Sequence, residues 1–516
     1  MSRSAPPVVS ASAQGVSAVA APGALSVAVV GAGLSGLTAA WRLVQLGHRV
    51  TVFERHAAPG FVAHSVGVPL PGTQARATGG AAAVRVDVPI RVFYAGYYPS
   101  LVRLYAELGV ATEAVSYASS FHDADGALYF RYRNWLLGGA SYSWVAPHDL
   151  LSPRARRIVA GALRFRREAL AALAGGALAG RTVGEFVGEL VRRRGHDEAF
   201  VRGLLLPAIA TVCTCSYEDA LNFPAAVIVE YLARGLAREP VRRAAQGADE
   251  VARRLCEGIA GRGEVCLGRG LAGMRREGAE GASAADGAVL LRLQDGTLAR
   301  FDHVVLATQA NQALSLLEDA SAAECRMLAG FSYRPIEVVM HRDARLMPAR
   351  RRDWSAVNLL VTPEGAQPQS TIWVNAVQPA LKAMSARALD GEAPILQTVH
   401  PLRAPREETV ISAARFERPV VDAASERALA SLATLHAEPG RRVWFCGSYA
   451  RPGIPLLESA VGSAEVAVQA LAAWAGAGSS AWSGAAQGAS VSSGAVAAHA
   501  SGGSASSSGA ALTRPL

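Results

Sequence analysis

LSVAVVGAGLSGLTAAWRLVQLGHRVTVFER, residues 25–55, is the stretch whose reading decides the fold. Its first six residues form an apolar run too short for a helix and closed by glycine, the pattern of a strand buried on both faces of a parallel sheet. Gly31, Gly33 and Gly36 follow at G-x-G-x-x-G spacing. In such a turn the first glycine allows the sharp bend and the second lets a diphosphate approach the backbone. The third lets the next helix pack closely on the strand. That helix is expected over 34–46, with Gly47 ending it. Its free N–H groups and positive dipole end face a phosphate group beside Gly31, Gly33, Ser35 and Gly36. Residues 49–53 read as a second strand that delivers Glu54 about 20 residues past the turn. A carboxylate there accepts hydrogen bonds from the adenosine ribose and disfavours a 2′-phosphate, which selects FAD or NAD over NADP. Strand, turn, helix, strand and acid in this order predict an α/β, Rossmann-like unit.

With 516 residues, 51% of them hydrophobic, the chain has length for two or three domains. The net charge of +9 does not point to nucleic acid: Lys382 is the only lysine, and the arginines are scattered rather than aligned with aromatics. The six cysteines show neither zinc spacing nor the ladder of a secreted scaffold, which fits a reducing compartment, cytoplasmic or organellar. Residues 16–41 carry no charge, but Pro22, Gly23 and the glycine turn break them, so no transmembrane segment is expected. Peripheral contact with a membrane stays open. Residues 1–24 read as a disordered leader or a short targeting peptide, and 475–516 as a low-complexity tail.

Between these ends, 84–93 alternates like a strand, with Pro89 marking an edge or an end. A helix is expected from Pro99, followed by two or three strands within 111–145. Helical periodicity then dominates over 153–173, 182–194, 199–210 and 224–236. Further elements are a helix over 248–260, strands over 264–267, 289–293, 304–307, 336–340, 371–374 and 408–413, and a helix over 423–435. A strand over 442–446 and a helix over 456–474 close the ordered chain. Strand and glycine features recur near 25, 265–307 and 442, so the nucleotide unit is stitched from three pieces. The expected division is an FAD-binding domain from 25–95, 246–330 and 439–474, and a substrate domain from 96–245, with the helical lobe, and 331–438.

That interleaving, with VAVVGAGLSGLTAAWRL, YYPSLVRLYAELGV at 97–110, FDHVVLATQANQALSLL at 301–317 and VWFCGSYARPGIPLLESAVGSAEVAVQAL at 443–471, resembles the flavin-containing amine oxidase-like superfamily. The likeness is strongest to a branch of predicted FAD/NAD-binding oxidoreductases. It implies a Rossmann-like FAD domain in discontinuous segments, a helical lobe and a mixed antiparallel-sheet substrate domain. By the same resemblance Gly31, Gly33 and Gly36 cradle the FAD pyrophosphate, and Glu54 holds the adenosine ribose with Arg55 beside it. Val265 lies on the strand whose backbone meets adenine, Gly447 passes close to the cofactor, and the amides of Leu456 and Leu457 open a helix beneath the flavin pyrimidine. Three features depart from the family: Pro59-Gly60-Phe61 replaces its second glycine pair, 334–343 holds no lysine, and Gly447-Ser448-Tyr449 lacks its acid. Cys446 is not placed to attach flavin, so noncovalent FAD is expected.

The resulting expectation is hydride transfer between a hydrophobic, lipid-like small molecule and flavin, of desaturase or isomerase type. Amine oxidation with oxygen as acceptor and a flavin-binding protein without turnover are the alternatives. No catalytic residue is assigned and no metal is expected. Tyr97, Tyr98, Tyr333, Trp354 and Trp373 are candidate pocket aromatics, and His341 and His400 candidate bases, each read first as structural.

Overall fold

The computed structural model describes residues 8–9, 24–69, 83–235, 239–277, 287–362, 366–381 and 394–475. Its centre is a five-stranded, wholly parallel sheet in the order Gly263–Cys266, Arg49–Phe53, Ser26–Val30, His303–Leu306 and Val443–Phe445. Three segments distant in sequence thus build one sheet. Val27 and Val29 face one side, with the helices Leu34–Gln45, Ala248–Ile259 and Leu457–Trp474. Ala28 and Val30 face the other, with Val304, Leu306, Val443 and Phe445. Burial on both faces is why these strands lack the polar alternation of a half-exposed sheet.

Against that second face packs a four-stranded sheet in the order Val8–Val9, Leu298–Phe301, Ala288–Leu293, Leu271–Glu277. Two expectations change here. Within the leader expected to be disordered, Val8 and Val9 pair in parallel with Leu298 and Ala299; the rest of 1–23 lies outside the described residues, as does the tail from 476. The helix Ala423–His436, assigned by sequence to the substrate domain, shares its core with the nucleotide sheet through Ala428, Leu432 and Leu435.

A third, eight-stranded sheet runs Val410–Pro419, Tyr333–His341, Leu396–Val399, Gln369–Trp373, Val357–Leu360, Ser119–His122, Leu128–Leu137, Ala140–Trp144. It is antiparallel except where Val357–Leu360 runs parallel to Ser119–His122. Its interior holds a polar chain: Ser120 Oγ donates to Asn358 Oδ1 at 2.9 Å, and Thr398 Oγ1 meets Thr371 Oγ1 at 2.9 Å and His341 Nε2 at 2.7 Å. Paired in this way, buried polar groups escape the penalty of unmade hydrogen bonds.

The helical lobe spans Pro153–Ala174, Val183–Arg192, a run from Glu198 to Cys213, Tyr217–Asn222 and Ala225–Gly235. The run opens into a π turn at Val201–Leu205, just before Pro207, whose missing N–H and ring an unbroken α-helix would not accept. The lobe shares one apolar core with the nucleotide helices. Region 111–145 holds four strands rather than two or three, and the strand expected over 84–93 stops at Val86, Phe93 returning only as a bridge to Arg242.

Candidate active site

A cavity of about 760 Å³ lies where the nucleotide sheet, the eight-stranded sheet and the helical lobe meet. This falls in the range of small-molecule and cofactor sites, about 300–1,000 Å³. Residues at or just past the carboxyl ends of four parallel strands reach it: Val30 and Gly31, Phe53 and Glu54, Ala307 and Thr308, and Gly447. This is where open α/β sheets bind ligands. The opposite wall comes from alternate residues of the large sheet, among them Ile336, Val338, Phe416 and Arg418.

Each glycine of the turn has a distinct physical reason. Gly31 adopts φ +102, and a Cβ there would lie 3.0 Å from the Ala307 carbonyl oxygen. A Cβ on Gly36 would sit 1.8 Å from the Gly31 carbonyl oxygen, so this glycine lets the helix rest on the turn. A Cβ on Gly33 meets nothing within 4 Å. No described protein atom accounts for Gly33, which borders open space on the cavity wall. The helix that follows has no side-chain cap and no acid in its first turn, leaving its N–H end available to an anion. Ser35, in that turn, lines the cavity.

Glu54 is 5% exposed and held from both sides. Its Oε2 accepts from the Ala32 N–H at 2.8 Å and its Oε1 from the His56 N–H at 2.9 Å. Gly60 closes over it, since a Cβ there would stand 2.9 Å from Glu54 Oε2. The Phe61 N–H donates to the Ala32 carbonyl at 3.3 Å, so the Pro59-Gly60-Phe61 loop seats on the glycine turn despite lacking the second glycine. Arg55 lines the cavity beside Glu54.

Of the ten residues expected at the site, Gly36 and Val265 are not on the cavity wall. Gly36 acts through packing. Val265 pairs with Val52 on the edge strand of the nucleotide sheet, and the wall there is formed by Gly270 and Leu271, just beyond it. At the far end Gly447 has φ +154; a Cβ there would lie 3.1 Å from the Thr308 carbonyl oxygen, and its N–H donates to Ser463 Oγ at 3.1 Å. Leu456 is the N-cap of the helix Leu457–Trp474, and its N–H is already engaged by the Ile454 carbonyl at 2.7 Å; the helix proper opens at Leu457. The acid in that first turn, Glu458, is not on the cavity wall. Its carboxylate accepts from the N–H groups of Ser100 and Leu101 and from Arg451, capping the helix Pro99–Glu107.

The remaining wall is aromatic and cationic. Burial pushes the Tyr98, Tyr231 and Tyr449 hydroxyls far above the usual tyrosine range, so all three stay neutral. Arg91 stacks on Phe61 at 4.2 Å and donates to the Phe61 carbonyl at 2.5 Å. Burial lowers the Arg418 pKa, yet a guanidinium stays charged at neutral pH, and its buried Nε has no hydrogen-bond partner among the described residues. Among the lining residues only Glu54 and Glu417 are acids; Glu54 is held by amides, and Glu417 accepts from Asn311 Nδ2 at 3.2 Å. Sequence reading missed Arg91 and Arg418, because only folding brings them inside, Arg91 from the segment after the strand Ala83–Val86 and Arg418 from the strand Val410–Pro419.

Of the two candidate bases, His341 is structural: it is fully buried off the cavity, its Nδ1 accepts from the Asp343 N–H, and burial lowers its pKa to about 4. His400 lines the cavity at φ +51, with a buried Nε2 that has no hydrogen-bond partner among the described residues. Tyr333 and Tyr98 reach the wall, whereas Trp354 and Trp373 pack on each other at 5.5 Å away from it. Cys446 is completely buried and its thiol is pushed up to about 12. Among the described residues no cluster could hold a metal, and no helix is long and apolar enough to cross a membrane.

Residues 29–108 match the family model of an NAD(P)-binding Rossmann-like domain. No curated protein matches the chain in sequence. In three dimensions the chain is similar to a fatty acid isomerase from P. acnes that produces CLA (TM-score 0.56, 16% identity, 87% of this chain and 99% of that one). It is also similar to cyclohexylamine oxidase from Brevibacterium oxydans (0.52, 15%, 87% and 99%) and to putrescine oxidase bound to putrescine (0.52, 14%, 87% and 99%). At these identities the likeness establishes the fold, an amine oxidase-like α/β architecture covering nearly the whole of each relative.

Proposed function

We propose that the chain is an FAD-dependent oxidoreductase that moves a hydride from or within a hydrophobic, lipid-like molecule, in the manner of a desaturase or isomerase. The observation that carries it is Gly33: an open space beside an uncapped helix end, in a cavity large enough for an extended cofactor. Residues 25–95, 246–330 and 420–474 make up the cofactor half, and 96–245 and 331–419 the substrate half. Gly31, Gly33 and Ser35 hold the pyrophosphate, Glu54 and Arg55 the ribose end, and Gly447 with Leu457 the isoalloxazine end. FAD, when bound, supplies the hydride acceptor. The protein's own part is to exclude water with Ile336, Val338 and Phe416 and to orient the substrate with neutral tyrosine hydroxyls.

The charges on the wall favour this reading over amine oxidation. An alkylammonium would share a low-dielectric cavity with Arg91 and Arg418, and like charges there repel. No described residue is a lysine, Lys382 lying outside the described residues. Purified protein is expected to be yellow, with FAD released on denaturation and no covalent flavin. Gly33→Val is expected to remove the colour while the protein stays folded by circular dichroism. Full flavin content in that variant refutes the site. Bound flavin that dithionite cannot reduce, or that passes electrons to no acceptor, supports a flavin-binding role without turnover.

A further inference from the structure

One strand of the eight-stranded sheet outruns it. Leu128–Leu137 pairs first with Ser119–His122, then continues as a two-stranded arm with Ala140–Trp144, in register from Arg133 opposite Trp144 to Leu137 opposite Ala140. Gly138 and Gly139, at φ +58 and +78, close it with the tight turn that requires two such residues. From Arg133 to Leu137 the arm spans about 13 Å at about 3.3 Å per residue.

Its end is apolar and faces water: Trp135 is 62% exposed, Leu136 46% and Leu137 71%. Because neighbouring residues point to opposite faces, Trp135 and Leu137 share one apolar face of the tip with Tyr142 and Ala140, while Leu136 stands on the other beside Ser141. The base of the arm is cationic. Arg133 lies over the Trp144 ring at 5.6 Å, and Arg131 donates to the Arg352 carbonyl at 3.3 Å, tying the run Arg350-Arg351-Arg352 to the same place. All three arginines of the run and Arg133 are exposed, and none forms an ion pair with a described residue. Elsewhere exposed arginines do find acids, as Arg253 does with Glu250 at 2.7 Å.

We propose that this arm docks the protein on a bilayer carrying anionic lipids, the tip entering the boundary between headgroups and acyl chains and the arginine collar meeting the phosphates. Interfacial insertion reaches about 5–10 Å, within the length of the arm. Tryptophan and tyrosine are the side chains that settle at that depth, and basic residues add attraction to an anionic surface. A second copy of the chain is the poorer occupant: a two-fold contact through the tips would bring each arginine collar towards its own image. The proposal is independent of the flavin reading.

The test is co-sedimentation of the full-length protein with phosphatidylcholine vesicles, plain or containing phosphatidylglycerol. Binding to the anionic vesicles is expected, weakening as salt rises to about 1 M, where charges are screened within about 3 Å. Trp135→Ser/Leu136→Ser/Leu137→Ser is expected to lower partitioning about tenfold or more at every salt concentration. Arg350→Gln/Arg351→Gln/Arg352→Gln is expected to erase the preference for the anionic vesicles. Both should keep the wild-type circular dichroism and thermal midpoint, because every altered side chain is exposed. Wild-type protein that binds neither vesicle, or a tip variant that binds as well as wild type, overturns the proposal. So does a wild-type dimer that the tip variant turns into a monomer without any vesicle binding.

Discussion

The two ends of the cavity are built on opposite plans. At the glycine turn nearly every feature is backbone: an N–H end without a cap, positive φ at Gly31, contact distances that exclude a Cβ at Gly36, and a carboxylate held by two amides. At the wall of Arg418, Tyr98 and Tyr231 the features are side chains, drawn from a strand, a helix start and the helical lobe. Backbone cradles bind a constant chemical group. Side-chain walls select a variable one, so under the proposed function the first end meets the cofactor and the second the substrate.

Substitutions can break this contrast in order of severity. Gly36→Ala places a methyl group against the Gly31 carbonyl and should cost about 4 kcal/mol or more, read as loss of soluble protein or of a cooperative thermal transition. Gly33→Val, three residues away, should leave the thermal transition of the flavin-free protein nearly unchanged; if both variants unfold alike, the turn is structural only.

Acid should strain both halves together. His303 and His436, in the nucleotide half, and His122 and His341, in the large sheet, are buried, and desolvation lowers each to about 4. Their unfolded value is about 6.5. The unfolded chain therefore binds more protons between pH 6.5 and 4, so stability is full above that window and falls as the pH drops through it. Each histidine should contribute about 1 kcal/mol per pH unit, measured as falling urea midpoints from pH 7 to pH 5. A flat profile would show that these rings are hydrated.

The smallest effect is expected at the substrate wall. Arg418→Gln should leave flavin content intact and shift selectivity towards hydrophobic amines by about tenfold, or about 1.4 kcal/mol, read as competitive inhibition constants. Loss of flavin in this variant would move Arg418 to the cofactor end.

This division also explains what the sequence made legible. Residues 25–54 carry a whole binding unit within one local pattern, and the structure reproduces its strands and helix to within a residue or so. The strands Val357–Leu360 and Leu396–Val399 went unread because their buried positions include Asn358 and Thr398, satisfied by neighbouring strands, and Gln397, which donates to the Asp87 carbonyl and accepts from the Ile90 N–H. Period-two apolar patterning does not register a sheet interior held by hydrogen bonds. The helix Ala322–Ala329 was legible and overlooked: Ser321 and Glu324 form the capping box that announces it. Arg418 stood in plain view within RFERP, but enclosure is a property of three packed units, not of a string.

Glu458 ties together residues some 358 positions apart, and that has a consequence for biosynthesis. The helix Pro99–Glu107 has no side-chain cap of its own, and its first amides wait for a carboxylate made 357 residues later. At bacterial-to-eukaryotic elongation rates this delay is on the order of tens of seconds. For most of it the nascent chain also lacks the strand Val443–Phe445, so the helix Pro99–Glu107 and the parallel sheet reach their finished environment only once that distant segment has emerged.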